Sequence, residues 1–341
     1  MKKHLTISTT VTLTALILLG LLSQGSVDAR QDNRAQTLLA QARTALGGDA
    51  KLKSIQTLSA TAKFRRILAK DQPEISGELQ LDFSLPDKYI ATEVSNLPMG
   101  DAQITRINGF NGDQPFKDVH TSGGGGNVFV KLGNGPNDQQ SPASQLRAVR
   151  AEFSRYIIGW LLTAPPTQTV EFSYGGEAQA EEGRADVLDV TGADGFAMKL
   201  LLDKETHRPL MIIYQGAAPR MIMNMRTMPA GSHGDAEKLT KEAQEKSGKE
   251  LEGQPEPKTV EIQMYLSDFR SEGGVQLPHH ITRAVNGEVS EEWDMTKFKI
   301  NPPLKAENFK KWGGAVTPQG TRRARKIGGH GEEINEDVTH R

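Results

Sequence analysis

Between Thr57 and Phe83 the apolar side chains recur at every second position. Leu58, Ala60, Ala62 and Phe64 alternate with Thr57, Ser59, Thr61 and Lys63, and Ile75, Gly77, Leu79, Leu81 and Phe83 alternate with Glu74, Ser76, Glu78, Gln80 and Asp82. Successive side chains of a strand point to opposite faces, so this period of two demands sheet with one apolar and one wet face, the habit of antiparallel strands. The pattern returns along the chain. Leu85-Pro86-Asp87 is a turn into a strand over 88–94, and a strand over 103–107 runs into the turn signals Asn108-Gly109 and Asn111-Gly112. Val170, Phe172 and Tyr174 alternate, as do Phe196, Met198, Leu200 and Leu202, then Leu210, Ile212 and Tyr214 after the turn Asp203–Thr206. Val260, Ile262, Met264 and Leu266 follow, then a strand over 281–285, and Asn286-Gly287 signals a type I′ hairpin into Val289–Ile300. About eleven strands at hairpin spacing predict one large, curved antiparallel sheet, and with its helices a mainly β, α+β fold.

Two segments carry the helical period instead. Asp32 or Asn33 caps a helix over 34–46, with Ala35, Leu38, Leu39, Ala42, Ala45 and Leu46 on one face, Gly47-Gly48 as its stop and Asp49 capping a short second turn. Ser141-Pro142 opens another helix, and its stripe is Leu146, Val149, Phe153, Ile157, Trp160 and Leu161. Its last two turns, Tyr156 to Leu162, are apolar nearly all round, and Pro165-Pro166 stops it. An end of that kind is buried in a core or covers an apolar concavity.

The N-terminus predicts an address. Met1-Lys2-Lys3-His4, an apolar run from Val11 to Leu22 and the small-residue site Ser26-Val27-Asp28-Ala29 form a signal peptide over residues 1–29, with cleavage after Ala29. The chain has no cysteine, which excludes disulfides, thiolate metal sites and acylation behind the signal, and favours a bacterial periplasm over a disulfide-rich exterior. Its 41 Lys+Arg against 42 Asp+Glu lack the basic excess that a nucleic-acid binder needs. Residues 30–311 are expected to form the folded domain. Flexible insertions are expected near 121–141, where Gly123–Gly126 lies, and near 229–257, where Glu and Lys interleave. A disordered basic tail over 312–341 would, through Arg322–Lys326, make at most peripheral contact with an anionic membrane.

No catalytic motif is found: there is no His-Glu-x-x-His, no Gly-x-Ser-x-Gly and no dinucleotide-binding glycine pattern. His279-His280 is read as a turn after Pro278, because neighbouring strand residues face opposite ways and do not share a metal. Met221, Met223 and Met225 alternate, with Met228 beyond, and are read as adaptable apolar side chains rather than copper ligands. Neither an enzyme activity, a metal nor a cofactor is expected.

The helix ending Ala45-Leu46-Gly47-Gly48, followed by Leu52-Lys53-Ser54-Ile55-Gln56-Thr57-Leu58 and a meander of strands, resembles the outer-membrane lipoprotein-sorting proteins, the LolA-like superfamily of periplasmic carriers. Asp203–Leu210 and Gly273–Ile281, closing with Trp293 and Phe298–Asn301, carry the same likeness. The resemblance implies an unclosed antiparallel β-barrel of eleven strands curled around helices, with an apolar cavity for acyl chains of lipoproteins or free lipid. It also implies envelope donor or acceptor proteins as partners; a monomer is expected. A periplasmic sensor or regulatory interaction module of the same fold is the alternative, and a hydrolase with an unrecognised site the third. The expected ligand cavity is lined by Leu58, Ala60, Ala62, Phe64, Ile75, Gly77, Leu79 and Leu81, with Ile157, Trp160 and Leu161 over its mouth. The small side chains Ala60, Ala62 and Gly77 leave room either for a ligand or for close packing of the helices.

Overall fold

The alternating segments are strands of a single antiparallel sheet. The computed structural model describes residues 28–67, 74–97, 102–122, 141–165, 169–180, 183–217 and 258–310. Among them the strands are β1 (Thr57–Arg66), β2 (Ile75–Ser84), β3 (Lys88–Asn96), β4 (Gln103–Asn111), β5 (Gln114–Ser122) and β6 (Val170–Ala180). The second half adds β7 (Gly183–Gly192), β8 (Ala197–Asp203), β9 (Pro209–Ala217), β10 (Thr259–Glu272), β11 (Val275–Val285) and β12 (Glu288–Ile300). Their order is β5-β4-β3-β2-β1-β12-β11-β10-β9-β8-β7-β6. The pairing of β1 with β12 joins two meanders, while β5 and β6 are the free edges, so the curled sheet stays open there.

Twelve strands stand among the described residues where about eleven were expected. Neither β5 nor β7 shows clean alternation. In β7 the consecutive residues Ala185, Asp186, Val187 and Leu188 are all buried, because Ala185 and Val187 pack with Leu201 and Met211 on the outer face of the sheet. A strand covered on both faces loses its period of two. Asn108-Gly109 is not a turn but the middle of β4. A Cβ on Gly109 would stand 2.2 Å from the Tyr89 carbonyl oxygen and 2.6 Å from the Phe116 ring, so glycine is needed there for close approach. The turn falls instead at Gly112-Asp113. Asn286 and Gly287 do make the expected two-residue hairpin, with φ of 49° and 86° and Val285 opposite Glu288.

Three α-helices accompany the sheet among the described residues: α1 (Asp28–Leu46), α2 (Asp49–Lys53) and α3 (Pro142–Leu161). Helix α1 starts ahead of the Asp32/Asn33 cap, so the expected cleavage site after Ala29 lies in its first turn. Gly47 turns the chain at φ 126° with its Cα against the Gly274 carbonyl; a Cβ would stand 2.5 Å from that oxygen. Ser141 caps α3 by accepting a hydrogen bond from the Ser144 amide at 3.2 Å, with Pro142 at the first position. The helix stops ahead of the prolines, at a left-handed Leu162 whose carbonyl accepts a hydrogen bond from Arg43 Nε at 2.9 Å. That bond ties α3 to α1. The signal peptide up to Val27, the methionine series at 221–228, most of the 121–141 insertion, the 229–257 insertion and the basic tail lie outside the described residues.

Candidate functional site: the concave face of the half-barrel

All eleven residues of the expected cavity are buried and come together under the helices. Leu58, Ala60, Ala62, Phe64, Ile75, Leu79, Leu81, Ile157, Trp160 and Leu161 belong to one apolar cluster that also takes in Leu39, Ala42 and Leu46 of α1. The room beside the small side chains is occupied by neighbours. Ala60 lies between Phe298 and Leu81, and Ala62 between Met295 and Leu79, on the paired strands. Gly77 makes way for the Phe64 ring, which a Cβ would meet at 2.8 Å. Trp160 is fully buried and meets Phe83 and Phe298 edge-on, each at 5.8 Å between centroids. Among the described residues its indole Nε1 finds no hydrogen-bond partner. Helix α3 packs tightly on the sheet at Gly159, where a Cβ would stand 2.3 Å from Ile212 Cδ1 of β9.

Further along the same face the lining turns polar, which no motif announced. Arg66 of β1 reaches Glu93 of β3 through both terminal nitrogens, at 3.0 and 2.8 Å, and Glu291 of β12 at 2.9 Å. Glu93 also accepts from Arg106 of β4 at 2.7 Å and from the Ser95 hydroxyl at 2.8 Å, while Trp293 Nε1 donates to Glu291 at 2.7 Å. Burial by itself would raise the Glu93 carboxyl; hydrogen bonds and charge from Arg66 and Arg106 overcome it and hold the group at about 2. The signal that could have found this network is phase. Arg66 continues the inward series Ala60, Ala62, Phe64, and Glu291 stands two residues from Trp293 on the inward side of β12.

Beside the network, between α3 and β9–β11, lies a cavity of about 160 Å³ lined by Ala148, Glu152, Arg155 and Tyr156 of α3 with Tyr214, Met264 and Arg283 of the sheet. Arg155 lays its guanidinium over the Tyr214 ring at 3.8 Å and over Phe196 at 5.7 Å. Arg283 donates to Tyr214 Oη and to Glu291 at 3.4 Å each. Glu152 Oε1 accepts from Tyr89 Oη at 3.0 Å and Tyr156 Oη at 3.4 Å. Burial, with Glu152 beside them, raises both phenols well above the ordinary tyrosine value, so they remain O–H donors.

The histidine pair lies within β11, not in a turn. His279 is buried, 3.1 Å from the Leu277 carbonyl oxygen and from Glu272, whereas His280 faces the other way, 2.9 Å from Asp294. Among the described residues no three His, Asp or Glu side chains gather as metal ligands.

The chain is similar, at a low level, to solved structures. A LolA superfamily protein from Nitrosomonas europaea matches with 13% identity and a TM-score of 0.41, over 81% of this chain and 97% of its own. A domain assigned as an outer membrane lipoprotein-sorting protein, from Vibrio parahaemolyticus, matches with 10% identity and a TM-score of 0.39, over 82% and 97%. No family model matches the chain, and no curated protein matches it. Likenesses at this level leave the ligand to be argued from the side chains of this protein alone.

Proposed function

We propose that the protein is a periplasmic carrier that takes an acyl chain of a lipoprotein or of a free lipid into the half-barrel, with α3 giving way. The observation that carries this reading is the cover of the concave apolar face. The sheet does not close on itself, and what lies over its apolar interior is helix, not a further strand. Strands are locked to their neighbours by backbone ladders, but a helix seated by side-chain packing can leave without breaking one. Burying an acyl chain contributes about 0.8 kcal/mol per CH₂, so about sixteen carbons offer a gross gain on the order of 12 kcal/mol against the contacts that α3 gives up.

A cross-link tests this directly. The chain has no cysteine, so Gly159→Cys with Ile212→Cys introduces one pair where α3 packs tightly on β9, and the second change removes the atom that the new Cβ would meet. Oxidised, this variant should bind a fluorescent acyl probe at least about tenfold more weakly than when reduced, a difference of about 1.4 kcal/mol. Equal binding in both states removes α3 as the moving part. No binding in either state, or in the unmodified protein, removes the carrier, and capture of an envelope protein by the empty chain would then favour the sensor. The periplasmic address has its own check: N-terminal sequencing of the exported protein should begin at or near Arg30, and a chain still starting at Met1 in that compartment contradicts it.

A further inference from the structure

We propose that the cavity between α3 and β9–β11 is an anion site that holds the carboxylate or phosphate head of the amphiphile whose chain enters the half-barrel. This rests on the carrier reading. Arg66 and Arg106 have their charge taken up by Glu93 and Glu291. Arg155 does not. Among the described residues its guanidinium meets two aromatic faces and no carboxylate within hydrogen-bond distance, and its Nε is buried without a partner. A guanidinium N–H can only donate, so leaving the Nε–H unmet in a desolvated place is costly. Burial accordingly pulls Arg155 below the ordinary arginine value, and Arg283 pushes the same way. Arg283, which lines the same cavity, makes long hydrogen bonds to Tyr214 and Glu291 at 3.4 Å each and lies over the Trp293 ring at 5.7 Å.

The charge balance points in one direction. On this part of the concave face Arg66, Arg106, Arg155 and Arg283 stand against Glu93, Glu152 and Glu291, an excess of one positive charge. Glu152 would repel an anion, but its Oε1 is engaged by the Tyr89 and Tyr156 hydroxyls. Guanidiniums offer pairs of N–H donors that suit two oxygens of a carboxylate or phosphate. At about 160 Å³ the cavity takes a head group and not a lipid chain. Its walls lead into the apolar interior, since Tyr156 and Met264 belong to the same cluster as Trp160. A head held here would place its chain along the face that α3 now covers.

The test compares cis-parinaric acid with its methyl ester, which share a chain and differ in head charge, by fluorescence titration at neutral pH. The acid should bind about tenfold to a hundredfold more tightly than the ester, as expected for a charge-assisted hydrogen-bonded head. Arg155→Gln, checked for folding by circular dichroism, should bring the acid to the level of the ester and leave the ester unchanged. Equal affinities for acid and ester in the unmodified protein overturn the anion site and leave the carrier standing; no binding of either overturns the carrier. Inorganic phosphate, titrated alone, separates the sources. Displacement of the acid by phosphate without displacement of the ester supports the head site, and phosphate binding with no acid preference means a free-anion site and overturns it.

Discussion

Glu93→Gln should lower the unfolding free energy by about 3–5 kcal/mol, the usual cost of removing one partner from a buried ion pair. The carboxylate serves Arg66 through two hydrogen bonds, Arg106 through one and the Ser95 hydroxyl through another. Glutamine keeps the shape and loses the charge, so Arg106, largely withdrawn from water, loses the carboxylate it pairs with and Arg66 is left with Glu291 alone. Urea unfolding at neutral pH, followed by tryptophan fluorescence, measures the difference; a loss below about 1 kcal/mol would place the pair with ordinary surface bridges. The same group sets an acid limb. Its folded value of about 2 lies below the ordinary glutamate value of 4.5. Its contribution is therefore fully present above that ordinary value and is lost as pH falls from there towards 2. The shift corresponds to about 3 kcal/mol. Over that window the stability of the unmodified protein should fall more steeply than that of Glu93→Gln, and parallel curves would contradict the assignment.

Trp160→Ala should cost a further kind of stability, about 3–5 kcal/mol, because a fully buried indole leaves a void among rings that cannot close over it. Phe83, Tyr156 and Phe298 all pack on that side chain, at centroid distances of 5.8, 5.2 and 5.8 Å. Trp160→Phe should cost far less. It keeps much of the apolar contact and removes an indole N–H that is buried without a partner, a group whose burial is itself unfavourable. Urea midpoints of the two variants, compared under one set of conditions, should therefore differ widely. Near-equal midpoints would mean that this end of α3 is loosely seated and that the rings near it rearrange at little cost.

The sheet, its antiparallel sense and the two principal helices are legible in the amino-acid order, because each rests on local periodicity. Leu58 to Phe64 and Ile75 to Phe83 alternate, Ser141-Pro142 starts a helix, and Asn286-Gly287 makes a hairpin whatever surrounds it. Where a second set of contacts intervenes, the local signal fails. β7 is buried on both faces, and Gly109 is a glycine for the sake of the Tyr89 carbonyl, not for a turn. The apolar residues of the expected cavity were equally legible as one inward set. What fills the space beside them was not, since Phe298, Met295 and the Phe64 ring come from strands or rotamers that only pairing and packing specify.

The charged end of the concave face belongs wholly to the tertiary level. Arg66, Glu93, Arg106, Arg283 and Glu291 stand on five different strands, and each read alone is an ordinary surface charge. Their inward phase was available from the alternation; their meeting was not. It depends on β1 lying between β2 and β12, the long-range pairing that joins the two halves of the chain. Arg155 lies off the apolar stripe of its helix, and only the seating of α3 in the half-barrel brings it over the Tyr214 ring. Periodicity, a property of neighbours in sequence, determined the sheet and the helices, whereas the balance of charge in a shared, poorly hydrated space exists only once distant strands have met.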